Sequence, residues 1–157
     1  MQYWLLKSEP EMFGIDDLQR RPQQIEHWDG VRNYQARNFL RDQMQVGDLA
    51  FFYHSNCSPP AIVGVIRIVR AGYPDHTAWQ LNHEHFDGKS TPEKPRWFMV
   101  DVQYVRHLQR PIALAELKSD PRLHDMPLLQ KGGRLSVMPV REEHWNHILQ
   151  MEREKNG

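Results

Sequence analysis

The residues that can do recognition chemistry gather in a few short stretches. "WDGVRNYQARNFL" holds Trp28, Arg32, Asn33, Tyr34, Gln35, Arg37 and Asn38. It puts an aromatic ring, a turn signal at Asp29-Gly30 and planar hydrogen-bonding groups side by side. "FFYHSN" runs Phe52 and Tyr53 straight into His54, Ser55 and Asn56, and "PRW" sets Trp97 beside Arg96. These rings stand where strands and helices end, whereas core aromatics usually stand mid-element. Flat rings next to Asn and Ser suit a pocket for a flat heterocycle, whose face is stacked and whose edge is read by polar groups. Ordinary core packing is the competing reading, and spacing alone favours it.

Other clusters support less. "HSNC" brings Cys57 near His54, but nearness in sequence does not make a nucleophile and its base, and an inert thiol is the plainer reading. "NHEHF" places His83 and His85 on one side of an extended segment, where two imidazoles could hold a metal. No third ligand is obvious, so neither metal nor cofactor is expected. "QKGGR" could cradle a phosphate between Lys131 and Arg134, or be a plain turn. GxSxG, HExxH, GxGxxG and the nucleotide-hydrolysing loop are all missing from the sequence, and nothing in it names a catalyst.

The elements that must carry these residues follow from pattern. "YWLLK" predicts a strand over Tyr3 to Lys7, ended by "SEP", where Pro10 stops the pairing. "GIDDLQR" predicts a short helix with acids in its first turn. Val31 to Asp42 has helical spacing. Strands are expected from Leu49 to Tyr53, across "AIVGVIRIVRAGY", across "WFMVDVQYVRHL" and in "RLSVMPV". Gly64 inside the second of these suggests a bulge or a close backbone approach. "IALAELKSDP" predicts a helix ending before Pro121, and "REEHWNHILQMEREK" a C-terminal one. Residues 72–96 form a long polar excursion, and long ordered loops usually have a function. Strands and helices mix without βαβ alternation. The expected fold is α+β, a largely antiparallel curled sheet with helices to one side.

A chain of 157 residues with 39% hydrophobic residues fits one domain over 1–157 with a real core. Twenty basic residues balance 20 acidic ones, so attraction to a nucleic-acid backbone must be local. One cysteine excludes an internal disulfide and a multi-Cys zinc site. The N-terminal apolar run is too short for a signal peptide and no stretch approaches a membrane span. A cytoplasmic protein without membrane attachment is expected, with nucleoid association as the alternative.

Taken together, "YWLLKSEP", "WDGVRNYQARNFLRD", "VGDLAFFYHSN", "IVGVIRIVR", "PRWFMVDV", "PLLQKGGRLSVMPV" and "EEHWNHIL" resemble the EVE domain, a PUA-like module related to the YTH and ASCH domains. Seven blocks in order, from Tyr3 to Leu149, carry the resemblance. It implies a barrel-like sheet with flanking helices and a non-catalytic reader of modified cytosine or adenine in DNA or RNA. The base would be turned out of its strand. The positions carried over for the base pocket are Ser8, Trp28, Arg32, Asn33, Tyr34, Phe52, Tyr53, His54, Asn56, Trp97, Leu135 and Ser136. Trp28 would supply a ring face, and Ser8, Asn33 and Ser136 would read the base edge. Lys7, Arg37 and Arg134 would hold flanking phosphates. Gly14 stands where the family often has a Ser helix cap, and residues 75–90 match only loosely. Two other readings stay open: an enzyme acting on modified nucleotides through Cys57, His54 or Asp29, and a module whose aromatics meet a partner protein.

Overall fold

The computed structural model describes residues 1–132 and 135–154. Its frame is a single six-stranded mixed sheet. The strands are β1 (Tyr3–Ser8), β2 (Ile25–Trp28), β3 (Leu49–His54), β4 (Ala61–Pro74), β5 (Phe98–Ala113) and β6 (Val137–Val140). Their order is β2-β5-β4-β3-β1-β6. Every neighbouring pair is antiparallel except β1 with β3. The sheet curls without closing, because β2 and β6 remain as its two edges.

Period-two alternation gives the strands other than β2 two buried faces. On β1, Trp4 and Leu6 enter one core while Leu5 enters the other. On β3, Ala50 and Phe52 face the first core, Phe51 and Tyr53 the second. Near-continuous apolar runs such as "WLL" and "AFFY" are what a doubly covered sheet requires. The cover comes from α1 (Pro10–Phe13), α2 (Ile15–Arg20), α3 (Tyr34–Asn38), α4 (Leu114–Ser119) and α5 (Glu142–Met151). Ile15 and Leu18 of α2 and Ala36 of α3 pack into the first core. Leu117 of α4 and Trp145 and Ile148 of α5 pack into the second. The helices therefore flank both faces, not one as expected, since both faces of the sheet are apolar.

Three local departures matter for the site. Helix α3 begins at Tyr34, not Val31, because Asn33 is extended and its side-chain oxygen accepts from the Ala36 N–H at 3.0 Å. It runs on into a π-helical turn, Phe39–Gln43. Strand β2 was not expected. It pairs with β5 on one side only, with His27 opposite Asp101 and Trp28 opposite Val100. Helix α2 lacks the side-chain cap at Gly14, yet its first donor is satisfied from outside: the Ile15 N–H donates to His54 Nε2 at 3.1 Å. Burial holds the His54 pKa below its ordinary value, which keeps that acceptor neutral.

Gly64 meets both expectations placed on it. The β3–β4 and β4–β5 registers shift around it. A Cβ there would lie 2.0 Å from Ile15 Cδ1 and 2.7 Å from the Arg106 carbonyl oxygen. Among the described residues no helix is long and apolar enough to cross a membrane.

Candidate nucleobase site

A cavity of about 510 Å³ opens where β1 and β2 end. Lys7, Ser8, Glu9, Met12 and Phe13 form one side, and Glu26, His27, Trp28, Asp29, Gly30 and Val31 the opposite one. Arg21, Ser136 and the turn His83-Glu84-His85 complete the lining.

Each wall has a local cause. Trp28 is 7% exposed, so nearly all of its indole is packed. It meets Phe52 edge to face at 5.3 Å and Phe13 at 6.4 Å. Ser8 Oγ donates to the Phe13 carbonyl at 2.6 Å, which holds α1 over the end of β1. The Lys7 N–H donates to the Ser136 carbonyl at 2.8 Å and brings the segment before β6 to the rim. Burial lowers the Lys7 pKa, and its ammonium lies 5.8 Å from the Tyr53 ring centroid.

The third wall rests on one carboxylate. Asp75 has a fully buried side chain. Its Oδ2 accepts from the Gly30 N–H at 2.9 Å and from Arg32 Nη1 at 3.0 Å, and its Oδ1 from the Thr77 N–H at 2.9 Å. Burial alone would raise its pKa. The hydrogen bonds from Thr77, Gly30 and Arg32 outweigh that and hold it below the usual value. Arg32 also donates to the His85 carbonyl from Nη2 at 2.6 Å, tying the far loop to the wall. His85 then lies against Gly30, where φ is +79° and an added Cβ would fall 2.5 Å from the ring. Only glycine suits both the backbone and the contact.

The positions carried over from the resemblance divide into groups. Lys7, Ser8, Trp28 and Ser136 line the cavity. Phe52 stands behind Trp28 with no exposed surface, and Tyr53 belongs to the second core. His54 is engaged with α2, and Arg32 and Asn33 brace the wall and α3. Asn56, at φ +52°, donates to Glu9 Oε1 at 3.2 Å. Leu135 packs against both cores. Trp97 and Tyr34 stack at 4.9 Å outside the cavity, and the Arg37 guanidinium lies 4.7 Å from the Tyr34 ring centroid. Arg37 also donates to the Arg96 carbonyl at 3.0 Å. Arg134 lies outside the described residues.

The sequence did not single out Glu9, Met12, Phe13, Arg21, Glu26, His27, Asp29, Gly30, Val31 or the turn at 83–85 for the base pocket. "KSEPEMF" offered a signal, since the chain must turn back over Ser8 after Pro10. The turn at 83–85 offered its paired histidines and its place in a long polar loop, but nothing that put it at this cavity, which it meets through Arg32 and Asp29. Cys57 and His54 do not form a dyad here. The thiol contacts the Pro59 carbonyl at 3.5 Å, while the imidazole serves Ile15.

The chain is similar to known proteins along nearly its whole length. The EVE domain family matches residues 2–151. Human thymocyte nuclear protein 1 is 47% identical over 167 residues, an alignment covering 96% of this chain and 73% of that one. The crystal structure of human THYN1 protein in complex with 5-methylcytosine containing DNA superposes with a TM-score of 0.94 at 45% identity, covering 99% of each chain. A Pseudomonas putida protein superposes at 0.91 with 50% identity, covering 96% of this chain and 99% of that one. The chain belongs to the EVE domain family.

Proposed function

We propose that the protein is a non-catalytic reader that takes a modified cytosine of DNA, turned out of its strand, into the cavity beside Trp28. The observation that carries this reading is the cavity itself, in a chain so similar to one bound to 5-methylcytosine DNA. Its volume of about 510 Å³ falls within the usual range for small-ligand sites. Trp28, Phe13, Met12 and Val31 offer apolar surface to a ring and a 5-substituent. Glu9, Asp29 and Glu26 offer acceptors, which suits the exocyclic amine of cytosine and disfavours thymine or uracil. Ser8 and Ser136 offer shorter polar contacts, with the Ser8 hydroxyl free to accept while its proton goes to Phe13.

Roles follow for the other positions. Phe52 backs Trp28, while Arg32 and Asn33 set the wall and the start of α3. The exposed Tyr34 with Trp97 and Arg37 forms a stacked platform for the flanking strand, and Lys7 and Arg37 serve neighbouring phosphates. Flipping costs a few kcal/mol, least in single strands, and stacking returns about 1–3 kcal/mol. One buried methyl adds about 0.8 kcal/mol, or about fourfold in affinity. The preference for 5-methylcytosine over cytosine should therefore be several-fold.

The test is fluorescence anisotropy with matched single- and double-stranded oligonucleotides carrying cytosine or 5-methylcytosine at fixed salt. Tighter binding of the methylated strand, with the preference lost in Trp28→Ala and reduced in the gentler Trp28→Phe, is expected. Equal affinity for both bases in the wild type would sink the reading.

A further inference from the structure

Three potential ligands that the sequence keeps far apart meet at the mouth of the cavity. His85 Nδ1 lies 3.1 Å from Asp29 Oδ2, and His83 Nε2 lies 3.9 Å from the same oxygen. One ligand atom from each of the three residues lies within 4.8 Å of the others. Ligand atoms around a tetrahedral zinc ion stand about 3.4 Å apart, given bonds of about 2.0–2.1 Å. To close on one ion, the separations of 3.1 and 3.9 Å need to change by about 0.3 and 0.5 Å, and the remaining one by at most about 1.4 Å.

We propose that Asp29, His83 and His85 form a binding site for a divalent transition-metal ion, for which zinc is the probe. Two imidazoles and a carboxylate select such ions over calcium or magnesium. The scaffold holds two of the three ligands in place. Asp29 precedes the Gly30 anchored on Asp75, and the backbone of His85 is fixed by Arg32. The site has two internal costs. His85 Nδ1 donates to Asp29 Oδ2 at 3.1 Å, so that proton must leave before Nδ1 can bind an ion. His83 Nδ1 accepts from the His85 N–H at 3.0 Å, so its Nε2 carries the proton until the ring turns and gives up that bond. Binding is therefore in the micromolar range rather than that of closed structural zinc sites.

Charge gives the ion a purpose. The cavity lining holds four carboxylates, Glu9, Glu26, Asp29 and Glu84, against two cations, Lys7 and Arg21. A mouth with two excess negative charges repels a polyanionic strand, and one divalent ion cancels them. All three ligands line the cavity, so any coordination position they leave open gives onto it, where a lone pair of the guest can enter. This charge argument rests on the nucleobase reading; the metal site does not.

The experiment therefore omits nucleic acid. Tag-free protein is titrated with zinc chloride by isothermal calorimetry in a non-chelating buffer. The site is then probed with cobalt(II), whose visible absorption reports imidazole and carboxylate ligation. One equivalent should bind with a dissociation constant of about 1–10 μM, as an incomplete three-ligand site implies. Affinity should fall at least tenfold in His83→Ala, His85→Ala and Asp29→Asn. It should be unchanged in His124→Ala, an exposed histidine whose ring bonds to the Pro121 carbonyl. Circular dichroism confirms that each variant is folded, with His83→Gln as the milder substitution. Absence of a saturable one-equivalent event, or binding that survives in folded His83→Ala and His85→Ala, would overturn the site.

Discussion

Replacing Asp75 by Asn tests how the cavity wall is held. The two side chains are isosteric, so packing is preserved and only acceptors are lost. Asp75 uses both oxygens: Oδ1 takes the Thr77 N–H and hydroxyl, and Oδ2 takes Gly30 and Arg32. An amide offers one oxygen. Whichever way it turns, its NH₂ faces two donors. Breaking a buried ion pair costs about 3–5 kcal/mol. Here Arg32 is 24% exposed and keeps its bonds to His85 and Val31, which moderates the loss. A destabilisation of about 2–3 kcal/mol is expected, or about 4–12 °C in Tm for a chain of this size. Thermal melts followed by circular dichroism, with urea titration, would measure it. An Arg32→Met, Asp75→Asn double-mutant cycle should return a coupling of about 1 kcal/mol or more. The pH dependence has a definite sign. The folded pKa of Asp75 is depressed, so its stabilisation is present above the unfolded value of about 3.9 and is lost as pH falls through the folded value. Asp75→Asn should remove that acid-side slope. A variant that melts within about 2 °C of the wild type, a twofold margin below the smallest expected shift, would refute the assignment of the wall to this carboxylate.

Other expectations concern the same framework. Gly30→Ala forces a side chain into the left-handed region and against the His85 ring. It should cost about 1–2 kcal/mol, visible in a thermal melt, and should weaken base binding because the ring must leave its place. His54 has a depressed pKa and accepts the first N–H of α2. Stability should be steady above its unfolded pKa of about 6.5 and fall as pH drops through the lower folded value, because the unfolded chain binds the proton first. His54→Gln should flatten that dependence in melts run from pH 7.5 to 5. Arg37→Ala should leave the preference for a modified base intact and reduce the slope of log affinity against log salt by about one ion's worth; an unchanged slope would remove Arg37 from the phosphate contacts.

The strands and the family were legible because both leave continuous traces. Near-continuous apolar runs announce β1 and β3, β-branched and aromatic runs announce β4 and β5, and seven blocks in order, those around Trp28 and Ser136 among them, carry the resemblance. Strand β2 left no such trace. "IEHW" is short and mixed in character because it pairs on one side only, and it follows Gln23 and Gln24, non-glycine residues with φ near +60° that no local rule would place there. The aromatics divide for a physical reason as well. A residue at a strand end can face the solvent end of the sheet or either core, and "FFY" does not say which. Phe52 and Tyr53 went to opposite cores, and of the aromatics singled out in the sequence Trp28 lines the cavity, beside Phe13. Asp29 and His85 are 56 positions apart, and their meeting depends on Asp75 and Arg32, whose pairing no periodicity reveals.

The single parallel pairing, β1 beside β3, has a consequence for the order of assembly. It leaves the other edge of β1 to β6, 131 residues later in register from Leu6 to Val137, and the cavity borrows Ser136 from the approach to that edge. A chain emerging from synthesis can lay down β3, β4 and β5 as a meander while β1 waits for its second neighbour. Contacts of such long sequence separation form late and slowly. The cavity is therefore among the last parts to exist, and a chain arrested before its C-terminal strand would have most of its sheet but a cavity open where Ser136 should close it.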